Sequence, residues 1–465
     1  MNTGLYIHIP YCRQKCNYCG FLSFLCAGNV PSAYLALLGR EMALYQKYEP
    51  LIDTVFIGGG TPSLLKPEDL VRLLQDVQNN FSLAPGAEIT MEGNPESLTG
   101  EVLQGAKAAG VNRISMGLQA AQDALLQSLG RVHSYEQFEG SFRAARKAGF
   151  DNINVDVMFG VPGQTPQQLA DTLQKIYSLG DPKSENSKMS LLRPAEHISL
   201  YTVQLEEGTT LYEAYRHGRV DLPPYEADRA MYYAAIDFLK DKGYGHYEIS
   251  NFAQEEGPDG FGSAVSPRKN TGVVSSRGFC GAVSNERLHD RVANPNIGAG
   301  KTADGYRVTD YRCRHNVGYW SMKPYIGLGL GASSFLEGRR YKNTDRQVAY
   351  ANALNVGYLP LDKPISHLQE LPKEDKGEEQ AIYCFTALRK REGIHFAAFE
   401  EYFGQSFEEV YGPLTDDLNR YAAQNQLIVD ADGIRLTTEG IGISNDIMAL
   451  FVMNKPPQIT ARSKI

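Results

Sequence analysis

From the N-terminus to about residue 240, short runs of β-branched and aromatic residues alternate with longer stretches whose apolar positions recur every three or four residues. The short runs LYIHI, TVFIGG, EITMEG, RISMGL, NINVDVMFG and HISLYTVQL predict strands. Stretches such as SAYLALLGREMALYQKY and PEDLVRLLQDVQNNF predict the helices between them. Strands that alternate with helices imply parallel βαβ units. Six units fall short of the eight in a closed TIM barrel, so the expected fold is α/β, a partial (βα)6 TIM-like barrel over residues 1–240.

Beyond residue 240 the pattern changes. The segment from about Glu255 to Arg312 is rich in Gly, Ser, Asn and Arg and keeps neither period, which predicts a long irregular insert within a connecting region, residues 241–370. A second polar, turn-rich addition, GDPKSENSKMSLLRPAE, precedes the sixth strand. Residues 371–465 are expected to form a smaller, mainly helical domain. There KGEEQAIYCFTALRKREG and SFEEVYGPLTDDLNRYAAQNQ predict helices, and LIVDADGIRLTTEG predicts a hairpin with an Asp-Gly turn. Helices followed by a hairpin suggest a winged-helix-like unit, and its acidic helices favour partner docking over DNA reading.

Composition narrows the function. A chain of 465 residues should divide into at least two domains. A formal charge of −8 lacks the basic footprint of a nucleic-acid binder. The start MNTGLYIHIP has no features of a secretory signal, and no apolar run approaches the roughly 20 residues of a membrane helix, so a cytoplasmic protein without a transmembrane segment is expected. Seven cysteines, an odd number in such a chain, argue against a disulfide framework. Three of them, Cys12, Cys16 and Cys19, crowd the loop after the first predicted strand.

Closely spaced thiols point to metal ligation. A structural zinc site wants four closed ligands, and Cys26, Cys280, Cys313 and Cys384 are too scattered to supply a second pair. Three buried thiols acting as small hydrophobes fit poorly with the polar RQK and Asn17 between them. Functional groups recur at the ends of the other predicted strands: GGGTP (Gly58 to Pro62) after the second, Glu92 on the third, Gln119 on the fourth and Asp156 on the fifth. Parallel α/β folds collect ligands at the C-terminal ends of strands, so these groups are expected to share one cavity. Taken singly, the glycines suit a strand-to-helix turn equally well, Glu92 and Asp156 could cap helices, and Arg131 could be a solvated surface charge.

The C-x-x-x-C-x-x-C spacing, with an aromatic just before the last cysteine, resembles the radical S-adenosylmethionine (SAM) enzymes. Over GLYIHIPYC, FIGGGTPS, EGNPESL, RISMGLQ, LGRVHS and DVMFGVPGQT the chain is similar to their HemN/HemW branch. The resemblance implies a 4Fe-4S cluster on Cys12, Cys16 and Cys19, with one iron left for SAM, and an electron donor such as flavodoxin or ferredoxin. It also implies SAM contacts from Tyr6, Tyr18, Gly59, Gly60, Thr61, Glu92, Gln119, Arg131 and Asp156, with His8 one layer behind.

Two features separate the branch's members. The oxygen-independent coproporphyrinogen III oxidases continue to a fourth cysteine two positions after the third, where this chain has Phe21. The segment CRHNVGYW instead matches the H-N-x-x-Y-W haem motif of the HemW group in His315, Asn316, Tyr319 and Trp320. A neutral imidazole suits haem iron, and aromatic rings suit a porphyrin face. The implied function is that of a HemW-type haem chaperone handing haem to respiratory proteins, with radical decarboxylation of coproporphyrinogen III as the alternative. About sixty residues separate EISNFA from the haem motif, where the family has a short connection; loop entropy tolerates this.

Overall fold

The computed structural model describes residues 2–180, 193–255, 300–301, 307–308, 310–360 and 375–454. Six strands build its centre: β1 (Asn2–Ile9), β2 (Leu51–Gly59), β3 (Ser82–Gly93), β4 (Arg113–Gln119), β5 (Ile153–Phe159) and β6 (His197–Thr202). They lie side by side in chain order, each parallel to the next. This is the expected (βα)6 partial barrel. The predicted strands match in place, although β3 begins earlier and β6 ends sooner than their apolar runs.

The sheet does not stop at six. Tyr325–Leu328 adds a seventh parallel strand beside β1, followed by the antiparallel Ser333–Leu336 and Arg339–Lys342. At the other edge Asn251–Gln254 and Tyr244–Glu248 continue antiparallel from β6. Short strands from residue 244 onward thus complete both edges of a sheet begun at the N-terminus.

Helices cover the outside for local reasons. Pro67–Asn80 starts with proline at its first turn and Glu68 and Asp69 against the positive end of the helix. Tyr135–Lys147 and Pro166–Ser178 each open on a full capping box, Ser134 with Gln137 and Thr165 with Gln168. All seven residues of β4 are buried, as a strand covered on both faces must be, including Arg113 and Gln119.

In the C-terminal part a three-stranded sheet, with Gly433–Leu436 between Ile394–His395 and Leu427–Val429, packs with helices. The expected hairpin is present. The two long predicted helices are shorter than their patterns: one spans Lys376–Ala387, and Gly412–Leu414 breaks the other into Phe407–Tyr411 and Thr415–Ala423. Pro413, which lacks an N–H, accounts for that break. A further helix, Phe396–Phe403, fills the space between. Most of the expected insert, Cys280 and most of the addition before β6 lie outside the described residues.

Candidate functional site

The cysteine loop leaves β1 at Pro10 and is fastened at both ends. Tyr11–Cys12 pairs with Phe24–Leu25, with Phe24 N–H donating to Pro10 and Cys26 N–H to Cys12. Its middle is clamped to the segment after Ala121: Asn17 donates to the carbonyls of Leu129 (2.9 Å) and Ser128 (3.0 Å), and Gln14 to Gly130 (3.1 Å). Gly130 has φ +73°, and a Cβ there would meet Asn17 at 3.0 Å. The glycine therefore permits the clamp.

Cys12, Cys16 and Cys19 are free, half-buried and line one cavity of about 420 Å³. The strand ends supply its other walls. Gly58 and Gly60 leave no room for a side chain: a Cβ would lie 2.9 Å from Glu92 Oε2 or 2.7 Å from the Tyr11 carbonyl. Gly59, at φ +114°, would strike the His8 ring, and its N–H donates to Glu92 Oε2 (3.1 Å). The run GGG is thus demanded by close packing around the cavity as well as by the turn. His8 is held between the Tyr6 hydroxyl (2.8 Å) and the Leu22 carbonyl (3.0 Å), so it props both the glycine turn and the far side of the cysteine loop.

Arg131 ties the cavity together. It donates to Cys16 Sγ (3.6 Å), Asn94 Oδ1 (2.8 Å) and the Gly117 carbonyl (2.6 Å), and Asn94 donates in turn to Thr61 Oγ1 (3.3 Å). Burial opposes its charge, but Tyr18, Cys16 and Glu96 outweigh it and hold the guanidinium above its ordinary range. Arg131 is no solvated surface charge. Glu92 and Asp156 are not helix caps either: both line the cavity. Burial, with Asp156 nearby, pushes Glu92 up to about 7, and burial also raises Asp156, which accepts from Asn154 (2.7 Å) and Ser115 (3.4 Å). Gln119 closes the wall in a left-handed conformation, φ +74°, rare for a residue with a side chain. It accepts from the Tyr201 hydroxyl (2.8 Å).

These residues fit an iron-sulfur cluster and a polar cofactor. Among the described residues no three His, Cys, Asp or Glu side chains converge tightly enough to hold a single metal ion. A mononuclear site needs that convergence; a cluster, which offers each thiolate a different iron, does not. Burial raises the Cys12 and Cys19 thiols, and the nearby thiols add to it, so a cationic core would relieve a repulsion already built into the loop. At the far end Glu248 Oε2, Asn251 Oδ1 and Trp320 Nε1 are buried and make no hydrogen bond among the described residues, which suits a ligand rich in donors and acceptors.

A second cavity of about 750 Å³ adjoins the first, and Lys15, Phe21, Ser23 and Trp320 line both. Its walls come from the cysteine loop and from the late strands Tyr325–Leu328, Ser333–Leu336 and Arg339–Lys342. The segment CRHNVGYW forms a short helix, Arg314–Trp320, between the two. Tyr319 faces the second cavity, Asn316 the first, and Trp320 both. Arg389, from the C-terminal part, stacks on Trp320 at 4.3 Å.

His315 faces neither cavity. It is buried, stacks on Phe56 at 5.3 Å, and has both ring nitrogens engaged, Nδ1 with Thr54 Oγ1 (2.9 Å) and Nε2 with the Tyr319 hydroxyl (2.8 Å). Burial, helped by Lys323 and Arg113, pushes it down to about 3, so the ring is neutral. Tyr6 also differs from the expectation: it lines the second cavity and bonds to His8. The remaining expected residues, Tyr18, Gly59, Gly60, Thr61, Glu92, Gln119, Arg131 and Asp156, share the first cavity with the cysteines.

Several wall residues escaped the sequence reading. Asn94 sits in EGNPESL, where the motif itself was the available signal, and Glu248 and Asn251 sit in EISNFA. Tyr201 and Arg389 carried no local signal.

Comparison with known proteins agrees with this geometry. The profile of the Radical SAM superfamily matches residues 6–176, and that of the HemN C-terminal domain matches residues 371–442. The heme chaperone HemW of Lactococcus lactis is 31% identical, covering 97% of this chain and 98% of that one. Its Bacillus subtilis counterpart is 30% identical over 96% and 98%. The mouse mitochondrial radical S-adenosyl methionine domain-containing protein 1 is 34% identical over 96% and 86%. Among solved structures, Escherichia coli coproporphyrinogen III oxidase (HemN), described as a radical SAM enzyme, superposes with a TM-score of 0.71 at 20% identity, covering 97% of this chain and 89% of that one, which establishes a shared fold. With a cysteine loop, a strand-end cavity and relatives matched from end to end, the chain belongs to the radical SAM superfamily and, within it, to the HemN/HemW branch.

Proposed function

We propose that this protein is a haem chaperone of the HemW type, with a cluster and SAM in the smaller cavity and haem in the larger. The observation that carries the reading is the second cavity: about 750 Å³, rimmed by Phe21 and walled by Tyr319, Trp320, Tyr325 and Phe335, it offers a flat apolar ligand room directly beside the cluster loop. The relatives named heme chaperone HemW support it along nearly their full length. Cys12, Cys16 and Cys19 would hold three irons of a 4Fe-4S cluster. The group itself supplies one-electron chemistry to a SAM sulfonium when both are bound. Arg131, whose Nη2 is given to Asn94 and the Gly117 carbonyl, would turn its remaining Nη1–H to the SAM carboxylate, while Glu92, Gln119 and Asp156 can receive its amino and hydroxyl groups.

His315 would hold the haem iron. Thr54 can accept a proton-bearing Nδ1, the tautomer that leaves the lone pair on Nε2. In this structure Tyr319 occupies that lone pair, so ligation requires its hydroxyl to move away. The protein would then pass haem to a haem-requiring respiratory acceptor.

Two measurements test the reading. Titrating haem into the cluster-reconstituted protein should produce a Soret band and quench Trp320, the chain's only tryptophan, and His315→Ala should change the iron's ligation spectrum. Incubation with SAM, reductant and coproporphyrinogen III should leave the substrate intact; formation of protoporphyrinogen would replace this reading with the oxidase one.

A further inference from the structure

The larger cavity is not only aromatic. Four cationic side chains line it, Lys15, Lys323, Arg340 and Lys342, against a single carboxylate, Asp345. In a chain of formal charge −8 this local excess runs against the average. Lys323 is paired with the buried Asp53. The other three are exposed at the cavity.

Arg340 and Lys342 belong to one strand, Arg339–Lys342, at the edge of the main sheet. Residues two apart in a strand point to the same face and stand roughly 7 Å apart, so both cations are presented to the cavity side by side. The Arg340 guanidinium lies over Phe335 at 5.1 Å and approaches Met322 Sδ at 3.9 Å. Those contacts place it beside the aromatic wall. Lys15 enters from the cysteine loop, its ammonium 3.5 Å from the Phe21 carbonyl.

Flat rings on one side and cations on another describe a ligand with a flat apolar body and carboxylates along one edge. We infer that Arg340 and Lys342, assisted by Lys15, bind the carboxylates of the porphyrin and make the larger cavity selective for porphyrins whose carboxylates are free. This rests on the haem reading above and specifies which groups of the ligand are recognised. Charged side chains on an edge strand also discourage sheet-to-sheet pairing, but a charge with only that role would not affect ligand affinity.

The test compares haem with haem dimethyl ester, titrated into the full-length, cluster-reconstituted protein and followed by the Soret band and Trp320 quenching. Haem should bind at least about tenfold more tightly than the ester, since each charge-assisted bond to a carboxylate is worth about that factor or more. The Arg340→Glu/Lys342→Glu double variant should lose ten- to a hundredfold in haem affinity and leave the ester's unchanged. Both positions are exposed, so folding should survive, and circular dichroism checks it. Restoring the charges as Arg340→Lys/Lys342→Arg should recover most of the affinity. Equal affinity for haem and ester, or a double variant that still prefers haem, overturns the inference and leaves the haem reading standing. Failure of the unaltered protein to bind either porphyrin removes the haem reading, and this inference with it.

Discussion

The two cavities share Trp320 and the cysteine loop, yet they are built in opposite ways. The smaller is made at the ends of consecutive parallel strands, and its polar groups are held by one another: Arg131 on Cys16, Asn94 and Gly117, Gly59 on Glu92, Tyr201 on Gln119. The larger is assembled from the cysteine loop and strands more than three hundred residues later, and cations at its wall remain exposed. A cavity at strand ends inherits its geometry from the barrel. One at the sheet's edge depends on where late segments dock.

The comparison breaks most severely at the cysteines. Replacing any one of Cys12, Cys16 or Cys19 by Ser should abolish stoichiometric iron and sulfide uptake, read by chemical analysis and by the visible absorption of the anaerobically reconstituted protein. Retention of a full cluster in all three single variants would remove the cluster from the smaller cavity.

Next comes Arg131. Arg131→Leu deletes a half-buried charge and leaves the Gly117 carbonyl and Asn94 Oδ1 without their donor, so a loss of about 2–4 kcal/mol is expected from urea unfolding. Lys342→Leu at the larger cavity should stay within about 0.5 kcal/mol, as an exposed substitution does. Similar costs at the two sites would erase the contrast between a held cavity and an open one.

Glu92 gives a pH signature. Its folded value, about 7, lies above its ordinary 4.5, so the folded state keeps a proton that the unfolded chain releases between those values. This contribution to stability is fully present below about pH 4.5 and is lost as pH rises through 7. In the ligand-free protein, Glu92→Gln should flatten that part of the stability curve, measured by thermal unfolding across the range.

The smallest effect concerns Tyr319. Tyr319→Phe removes one hydrogen bond and should cost about 1 kcal/mol of stability. Because it also frees His315 Nε2, haem affinity should rise by about the corresponding fivefold. A fall would mean that the hydroxyl itself supports the ligand and that His315 is not released by its loss.

Much of this was legible in the residues. The alternation of strand and helix gave the partial barrel, because each local pattern buries its own apolar face on the same sheet. The cysteine spacing and the strand-end groups led to a single cavity for the same reason: parallel units bring consecutive strand ends together. Tyr6 and His315 resisted such reading. Both lie within recognised motifs, but which cavity a side chain enters, or whether it enters one, depends on neighbours distant in sequence: Tyr6 meets Phe56, and His315 lies between Thr54 and Tyr319.

The order of residues alone determined the barrel, the cysteine loop and the family, since periodicity and short spacings are local properties that survive without coordinates. Only the tertiary structure decided that Tyr325–Leu328 and Arg339–Lys342 extend the barrel's first edge, that a second cavity opens there, and that His315 sits behind Tyr319 rather than on its wall. Those outcomes follow from contacts across some three hundred residues of chain, where packing and hydrogen-bond satisfaction choose among arrangements that no local pattern distinguishes.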